Sequence, residues 1–393
     1  MNGPAYSVIF IVAKKEGQGV IIGVPAEIKK EERRVGLVPE GAAELAREGH
    51  IILIEKGAGL GSGIADSQYQ DAGALTVERE AVFGRAELIV KVKEPLPWEY
   101  GLLRRGQVLF TFLHLASNPE LTDALKRSGA ACLAYETLED AGGLPLLAPM
   151  SEIAGRMAPL MGAFYLQAGR GGSGVFAAGA VGVEPARCLI LGAGNAGTNA
   201  ARVANALGMD TTVANISADR LRRIDEMSSG RVKTLVLTEA ALQKAAGAAD
   251  IIIGAALIPG ARTPLLITRR MLGIMKKGSV IVDISIDQGG TAETSRPTTH
   301  DDPVYEVDGI IHYCVANMPA AYPRTSTPAL ANATLPYVKI LAAGGLEAAI
   351  RKNGPLRSAL NVYRGRIVHL GLARSLGVEP ADISALSPKS PLP

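Results

Sequence analysis

Residues 188–197 read CLILGAGNAG. The apolar letters before the first glycine predict a β-strand over 188–191, and the alanine-rich run 196–207 predicts a helix directly after the turn. In such a turn Gly192 permits the sharp reversal, Gly194 lets the backbone approach a pyrophosphate, and Gly197 lets the helix pack closely on the strand. The pyrophosphate is expected at the helix N-terminus, where free N–H groups favour negative charge. The sequence therefore predicts a dinucleotide-binding turn whose contact residues are Gly192, Gly194, Asn195, Ala196 and Gly197.

The next strand, predicted over 211–215, ends in an unexpected residue. About 20 residues past the turn, dinucleotide-binding domains carry an acidic side chain that holds the ribose hydroxyls. Here that place is taken by Asn215. An amide does not repel a 2′-phosphate as a carboxylate does, and a phosphate is within reach of the side chains that follow, which are Ser217, Arg220, Arg222 and Arg223. The alternative is that these arginines form a solvated helix face, so the sequence leaves both NAD and NADP open as cofactors.

Short β-branched runs alternate with helical patterns along nearly the whole chain, which is typical of a parallel sheet with helices on both faces. The length of 393 residues is too great for one ordinary core. We predict an α/β protein of two Rossmann-like, doubly wound parallel-sheet domains flanking a cleft. Residues 20–145 plus 325–393 are expected to form a discontinuous substrate domain, and residues 146–324 the dinucleotide-binding domain. A largely buried helix is expected over 151–168, with Ser151 as its N-cap.

The composition narrows the classes of partner. The net charge is only +3 and no long basic run is present, so nucleic acid is not an expected partner. Three cysteines without a CxxC pair indicate buried, reduced thiols, no metal site and a cytoplasmic location. No apolar run has the length of a membrane span. The apolar stretch 7–13 is followed rather than preceded by lysines and fails as a signal peptide. Residues 1–19 are interpreted as an extra edge strand or an extension without a role in the fold.

Three basic side chains lie near the predicted carboxyl ends of strands in the first half of the chain. They are Arg34, Lys93 and His114. Ligands bind at that edge of open α/β sheets, and an Arg can hold a carboxylate through two N–H bonds. Each of these residues taken alone is more often structural or on the surface. Together they suit a small carboxylate substrate.

An acidic candidate lies beyond the strand predicted over 280–284. Asp287 stands in the sequence IDQGG, where flanking glycines would bring the backbone close to a cofactor. A carboxylate at this place suits a polar contact or an acid–base role. Asp283, within the strand, is expected to be structural.

Several longer stretches resemble the alanine dehydrogenase family, to which the dinucleotide-binding subunit of transhydrogenase is related. They span about residues 20–350, and they are GVPAEIKKEERRVGLVP (23–39), KVKEP (91–95), LFTFLHLA (109–116), LLAPMSEIAGRMA (146–158), VDISIDQGG (282–290), SRPTTHDDPVY (295–305) and YCVANMPAAYPRTST (313–327). The resemblance implies that Arg34 and Lys93 bind the substrate carboxylate and keto oxygen, and that His114 and Asp287 transfer protons. It also implies a hexamer, and a dinucleotide lined by Ser151, the glycine turn, Asn317 and Met318. Asn215 departs from the acidic residue that is usual at this place.

The expected reaction is the reversible, NAD(P)-dependent oxidative deamination of L-alanine, or a similar small L-amino acid, to pyruvate and ammonia. One alternative is a transhydrogenase-like subunit that passes hydride between nicotinamide cofactors. It is disfavoured because Arg34, Lys93 and His114 together make sense only with a small substrate. The other alternative is a dinucleotide-sensing protein without turnover, against which the complete set of candidate residues argues.

Overall fold

The structure is a computed structural model that describes residues 19–257 and 263–383. The interpretation of residues 1–19, apart from the last of them, lies outside the described residues. The strands are β1 (Ile21–Val24), β2 (Ile51–Glu55), β3 (Leu75–Val77), β4 (Leu88–Val90), β5 (Val108–Thr111), β6 (Ala131–Ala134), β7 (Arg187–Leu191), β8 (Asp210–Asn215), β9 (Lys233–Val236), β10 (Ile251–Gly254), β11 (Val280–Asp283), β12 (Val304–Val307), β13 (Ile310–Tyr313), β14 (Leu360–Tyr363) and β15 (Arg366–Ile367).

Helices connect and flank these strands. They are α1 (Pro39–Arg47), α2 (Asp66–Asp71), α3 (Arg79–Arg85), α4 (Pro119–Ser128), α5 (Ala148–Tyr165), α6 (Asn195–Ala206), α7 (Ala218–Ser228), α8 (Glu239–Ala248), α9 (Arg269–Leu272), α10 (Pro323–Lys352), α11 (Gly354–Ala359) and α12 (Leu370–Leu376). Short 3₁₀ turns follow several strands.

The strands form two sheets with the same internal order. The first runs β15-β14-β6-β5-β4-β1-β2-β3 and the second β12-β13-β11-β10-β7-β8-β9. In each sheet six parallel strands follow the doubly wound order 3-2-1-4-5-6, and antiparallel strands are added at one edge. The fold class predicted from the sequence is confirmed. The order reverses between β1 and β4 in the first sheet and between β7 and β10 in the second, so ligands are expected at the carboxyl ends of those pairs.

Because strands buried on both faces have no polar side to alternate with, the central strands are almost wholly apolar. In the first sheet Ile22 and Val90 are fully buried, and in the second Ile190 and Ile253 are. Helix α5 contributes to both cores, with Met150 in the first and the residues from Ala154 onward in the second. Strands β14 and β15 return the end of the chain to the first sheet.

Helix α5 begins three residues earlier than the sequence suggested. Pro149 lies in its first turn, a place that proline favours because its missing N–H would have no partner there. The predicted N-cap, Ser151, is therefore inside the helix, and Leu147 occupies the cap position. The helix also ends at Tyr165 instead of residue 168. The prediction of Ser151 as an N-cap is wrong.

Helix α10 has the length and the apolar composition of a membrane-spanning helix, features that core helices of soluble proteins share. Two prolines, Pro328 and Pro336, lie within it, and its backbone is non-helical at Gly345. Its buried side chains, among them Leu330 and Val338, belong to the core of the first sheet. We interpret α10 as a core helix that covers this sheet.

Candidate functional site

The glycine turn joins β7 to α6 at the point where the strand order of the second sheet reverses. Gly192 has φ 120°, and a Cβ built on it would lie 2.4 Å from the carbonyl oxygen of Ala255, which follows β10. A Cβ on Gly197 would lie 2.0 Å from the carbonyl oxygen of Gly192. Both distances are far below van der Waals contact. Gly192 and Gly197 are therefore required by the packing of the turn itself.

Gly194 differs from the other two glycines of the turn. Its φ is −86°, and a Cβ built on it would meet no atom within 4 Å. Helix α6 begins at the next residue, Asn195, so the first N–H groups of the helix have no partner within it. Asn195 is exposed and Ala196 half-buried. This open cradle before a helix N-terminus fits the pyrophosphate of a dinucleotide.

Helix α5 lies against this cradle. A Cβ on Gly155 would be 2.2 Å from the carbonyl oxygen of Ala196, so the two helices touch through their backbones. Ser151 lies one turn before Gly155 on the same face of α5. The sequence-predicted contact between Ser151 and the dinucleotide is thus compatible with its place, although its expected capping role is not.

Asn215 is the last residue of β8, as predicted. Its side-chain oxygen accepts a hydrogen bond from the backbone N–H of Ser217 at 2.8 Å, and Ser217 Oγ in turn accepts from the N–H of Arg220 at 3.4 Å. Among residues 19–257 and 263–383, the amide nitrogen of Asn215 has no partner. Asn215 therefore presents a hydrogen-bond donor where the usual acidic residue would present acceptors. Arg220 is exposed in the first turn of α7.

Lys93 is buried at the reversal point of the first sheet, three residues beyond the end of β4. Burial lowers the pKa of Lys93, the charge of Asp287 from the second sheet opposes this shift, and Arg34 lowers the pKa further. These three predicted site residues therefore act on one another electrostatically. Asp287 is exposed, in the 3₁₀ turn after β11. The structure brings Arg34, Lys93 and Asp287 together although they are distant in sequence.

Glu27 joins the two strand ends at this reversal point. It follows β1, and its Oε1 accepts hydrogen bonds from the N–H groups of Val92, at 2.7 Å, and Lys93, at 3.3 Å. Its other oxygen lies 3.3 Å from Nζ of Lys91, which also pairs with Glu99 at 3.2 Å. Burial raises the pKa of Glu27 although Lys91 acts to lower it.

Arg34 is 2% exposed and its guanidinium is already engaged. Nε and Nη2 donate to the two oxygens of Glu32 at 2.7 and 2.5 Å, and Nη2 also donates to Oδ1 of Asn317 at 2.6 Å. Nη1 lies 2.9 Å from Sδ of Met150. Because Nε and Nη2 are occupied, the predicted grip on a substrate carboxylate through two N–H bonds requires Asn317 or Glu32 to release Arg34.

Asn317 connects the two sheets. It follows β13 in a left-handed conformation, with φ 62°. Its Nδ2 donates to Glu32 at 2.8 Å, and its backbone N–H lies 3.3 Å from Oδ2 of Asp287. Burial acts to raise the pKa of Glu32, but Arg34 and Asn317 outweigh it and lower this pKa to about 2. Met318 is 3% exposed and packs in the core of the second sheet.

His114 follows β5 by three residues and has φ 50°. Its backbone N–H donates to Glu136, the residue two places beyond β6, at 2.6 Å. The ring stacks on Phe112, with 5.9 Å between ring centroids. His114 thus lies at the same sheet edge as Lys93, on the neighbouring strand.

Three carboxylates of this region were not predicted from the sequence, namely Glu27, Glu32 and Glu136. A signal for them was present. Each lies just beyond a strand or beside a candidate basic residue, so the strand-end rule applied to acidic as well as basic side chains would have named Glu27 and Glu136. Asp283 is buried and accepts from Thr291 N–H, at 2.7 Å, and Ser295 Oγ, at 2.6 Å, which agrees with the structural role expected for it.

Family models match both halves of the chain. The model described as Alanine dehydrogenase/PNT, N-terminal domain matches residues 23–154, and the corresponding C-terminal domain matches residues 158–370. The chain belongs to the alanine dehydrogenase/PNT family. It is 50% identical over 369 residues to an alanine dehydrogenase of Mycobacterium tuberculosis (strain ATCC 25618 / H37Rv), which covers 93% of this chain and 100% of the relative. An alanine dehydrogenase of Bacillus subtilis (strain 168) is 49% identical over 366 residues, with 92% and 97% covered.

Solved structures of this family have the same architecture. An L-alanine dehydrogenase matches with a TM-score of 0.86 and 46% identity, covering 91% of this chain and 99% of that one. A transhydrogenase from Sinorhizobium meliloti matches with a TM-score of 0.76 and 24% identity over 88% of this chain and 100% of that one, which supports the fold alone.

Proposed function

We propose that this chain catalyses the reversible oxidative deamination of L-alanine to pyruvate and ammonia with a nicotinamide dinucleotide. The observation that carries the proposal is the meeting of two sheet edges. Arg34, Lys93 and His114 lie at the carboxyl edge of the first sheet, and Arg34 bonds directly to Asn317 of the second. The second sheet also carries the open cradle at Gly194. The names of the full-length relatives support the same activity.

Arg34 and Lys93 are proposed to bind the 2-oxo acid. The guanidinium holds the carboxylate, for which planar N–H donors are well suited. The Lys93 ammonium polarises the keto oxygen, and its burial strengthens this interaction because little water screens it. Because burial also lowers the pKa of Lys93, this side chain exchanges a proton more readily than an exposed lysine does.

His114 and Asp287 are proposed to transfer the protons of the reaction. In the reductive direction, ammonia adds to the keto carbon, and water leaves as the imine forms. Each of these steps needs a proton donor or acceptor within reach of the reacting atoms. His114 approaches from the first sheet and Asp287 from the second. When bound, the nicotinamide ring supplies the hydride that reduces the imine, and closure of the chain around it would exclude water.

The cofactor is proposed to be NAD, with NADP as an accepted alternative. Gly192, Gly194, Asn195, Ala196 and Gly197 would hold the pyrophosphate, with Ser151, Asn317 and Met318 beside it. The free amide nitrogen of Asn215 and the exposed Arg220 offer donors to a 2′-phosphate and no repelling charge. Comparing kcat/KM for NADH and NADPH tests this part. A hundredfold preference for NADH would contradict the use of NADP.

A direct assay tests the proposed reaction. The purified chain is incubated with pyruvate, ammonium and NADH or NADPH, and oxidation of the cofactor is followed by absorbance. We expect turnover only when pyruvate and ammonium are both present, and the reverse reaction with L-alanine and the oxidised cofactor. Hydride transfer between two nicotinamide cofactors without pyruvate would favour the transhydrogenase-like alternative. Stoichiometric binding without turnover would favour a sensing protein. A panel of 2-oxo acids then defines the side-chain preference.

Assembly, location and domain division are also proposals. Among the exposed large apolar side chains, Phe176, Val181 and Val183 lie close together in the sequence. Such exposure favours association, and we propose a homo-oligomer, a hexamer by family resemblance, which light scattering can test.

The proposed cytoplasmic location rests on three free, buried cysteines. The division into 20–145 plus 325–393 and 146–324 is supported by the return of β14 and β15 to the first sheet.

A further inference from the structure

The backbone of His114 has a conformation that side chains rarely adopt. Its φ is 50° and its ψ 39°, which is the left-handed region. Histidine enters this region more readily than most residues, but the conformation persists only where the surroundings hold it. Such strain is concentrated at functional sites, where it directs a side chain that the relaxed backbone would aim elsewhere.

One carboxylate holds this turn from the neighbouring strand. Glu136 lies two residues beyond β6, and its Oε1 accepts the His114 N–H at 2.6 Å. The preceding N–H, of the buried Leu113, lies 3.2 Å from each of the two oxygens of Glu136. Hydrogen bonds to an ionised carboxylate are about twice as strong as neutral ones. Glu136 therefore holds two successive N–H groups of the turn.

The same segment also supports the imidazole ring. The ring of His114 stacks on Phe112 with an interplanar angle of 6°, and Phe112 packs edge-on against Tyr135, with 5.1 Å between centroids. Tyr135 directly precedes Glu136 and is fully buried. Within the described parts of the chain, neither ring nitrogen of His114 has a hydrogen-bond partner. Stacking on Phe112 therefore restricts the orientation of the ring, and both ring nitrogens remain able to form hydrogen bonds with a substrate.

We propose that Glu136 is a positioning residue for His114. Its carboxylate holds the left-handed turn that directs the imidazole toward the reacting atoms, and Glu136 itself does not touch the substrate. This inference rests on the proposed acid–base function of His114. The function of Glu136 is to accept backbone N–H groups, so an uncharged acceptor of the same shape should replace it in part.

The test compares Glu136→Ala with Glu136→Gln. Alanine removes the acceptor, and we expect kcat to fall about tenfold to a hundredfold, the size of loss that follows a misplacement of about 1 Å. Dinucleotide affinity should not change, because the glycine turn belongs to the other sheet. Glutamine keeps one oxygen for the His114 N–H and should recover most of kcat. Glu139→Ala, which removes an exposed carboxylate three residues away, is the matched control and should behave as the wild type.

Two further measurements separate positioning from a general loss of structure. In a His114→Ala background, adding Glu136→Ala should change kcat less than twofold, because the ring that Glu136 positions is gone. Hydrogen exchange at the His114 N–H should accelerate in Glu136→Ala and stay slow in Glu136→Gln. Equal losses of kcat in both backgrounds, or unchanged exchange in Glu136→Ala, would overturn the proposal. Full turnover of His114→Ala alone would instead remove His114 from the mechanism, and the exchange measurement would still decide whether Glu136 holds the turn.

Discussion

The two reversal points of this molecule have the same strand order and different chemistry. At the first, between β1 and β4, charged side chains bridge the strands, and Glu27 bonds to the backbone at Lys93. At the second, between β7 and β10, the bridge is backbone against backbone, because Gly192 leaves no room for a side chain beside Ala255. One topology therefore supports two candidate sites, one made of side-chain charge and the other of main-chain N–H groups.

The difference suits the ligands that we propose. A small 2-oxo acid offers few atoms, so buried opposite charge in a weakly screened pocket is needed to hold it. A dinucleotide is large, and its pyrophosphate can be held by N–H groups at a helix N-terminus without any charged side chain. Arg34, Lys93 and Glu32 are almost fully buried, whereas the glycine turn needs only space and a helix end. Substitutions should therefore affect the two regions in different ways.

The largest expected effect is on catalysis at the carboxyl edge of the first sheet, where the charged side chains lie. His114→Ala should lower kcat about 10²–10⁴-fold, the usual contribution of a proton-transfer group, with little change in thermal stability. His50→Ala is the matched control, since Nδ1 of His50 accepts the N–H of Val20 just before β1 and β2, at the sheet edge opposite the candidate site. It should lose some stability and keep its turnover. Near-full turnover of the His114 variant would contradict the proposed mechanism.

The next effect concerns pH and the buried pair of Glu32 and Arg34. The pKa of Glu32 is lowered from 4.5 to about 2. A lowered carboxylate pKa contributes stability above the ordinary pKa, and this stability is lost as the pH falls toward 2. Glu32→Gln should therefore cost roughly 3 kcal/mol near neutral pH, with the difference from the wild type shrinking between pH 4.5 and 2.

Denaturant unfolding at a series of pH values measures this effect. Glu78→Gln is the control, because Glu78 pairs with Lys56 at an exposed site and such pairs contribute little. A difference between wild type and Glu32→Gln that does not vary with pH would show that the ionised form of Glu32 is not what stabilises the fold.

Two substitutions in the glycine turn separate its role in dinucleotide binding from its role in folding. Gly194→Ala places a methyl group in open space with an allowed φ, so stability should not change, while dinucleotide affinity should fall about tenfold or more because the methyl occupies ligand space. Gly197→Ala meets a carbonyl oxygen at 2.0 Å and should lose about 1–3 kcal/mol of stability. Thermal unfolding measures the stability of both variants, and dinucleotide titration measures their affinity. A Gly194→Ala variant that binds dinucleotide normally would contradict the proposed cradle.

The smallest expected effect is at the edge of the dinucleotide region. Asn215→Asp restores a carboxylate that accepts from the ribose hydroxyls and repels a 2′-phosphate. The ratio of kcat/KM for NADH over NADPH should rise several-fold, about 1 kcal/mol. Lys233→Gln, at the start of β9 where Lys233 pairs with Asp210, is the control and should leave the ratio unchanged. An unchanged ratio in Asn215→Asp would show that this side chain does not face the ribose.

Much of the fold was predictable because its signals are local. Apolar strand runs, the glycine turn and the alternation of strands with helices gave the α/β class, the two sheets and most central strands. The short strands β3, β12, β14 and β15 were missed, since each is brief and is fixed by pairing with a neighbour. The start of α5 was misplaced because a serine cap signal was preferred over Pro149, which lies in the first turn of the helix.

The sequence by itself determined the glycine turn and most candidate site residues, because glycine turns and basic side chains after strands can be recognised within a few positions. Only the tertiary structure decided which side chains lie beside these candidates and hold them. Glu32 and Asn317 are 285 residues apart and share a hydrogen bond, and Glu136 reaches back 22 residues to His114. Such pairings depend on strand order and on how the two sheets face each other. No local pattern encodes them, since a carboxylate is costly to bury until folding brings its donors within hydrogen-bond distance.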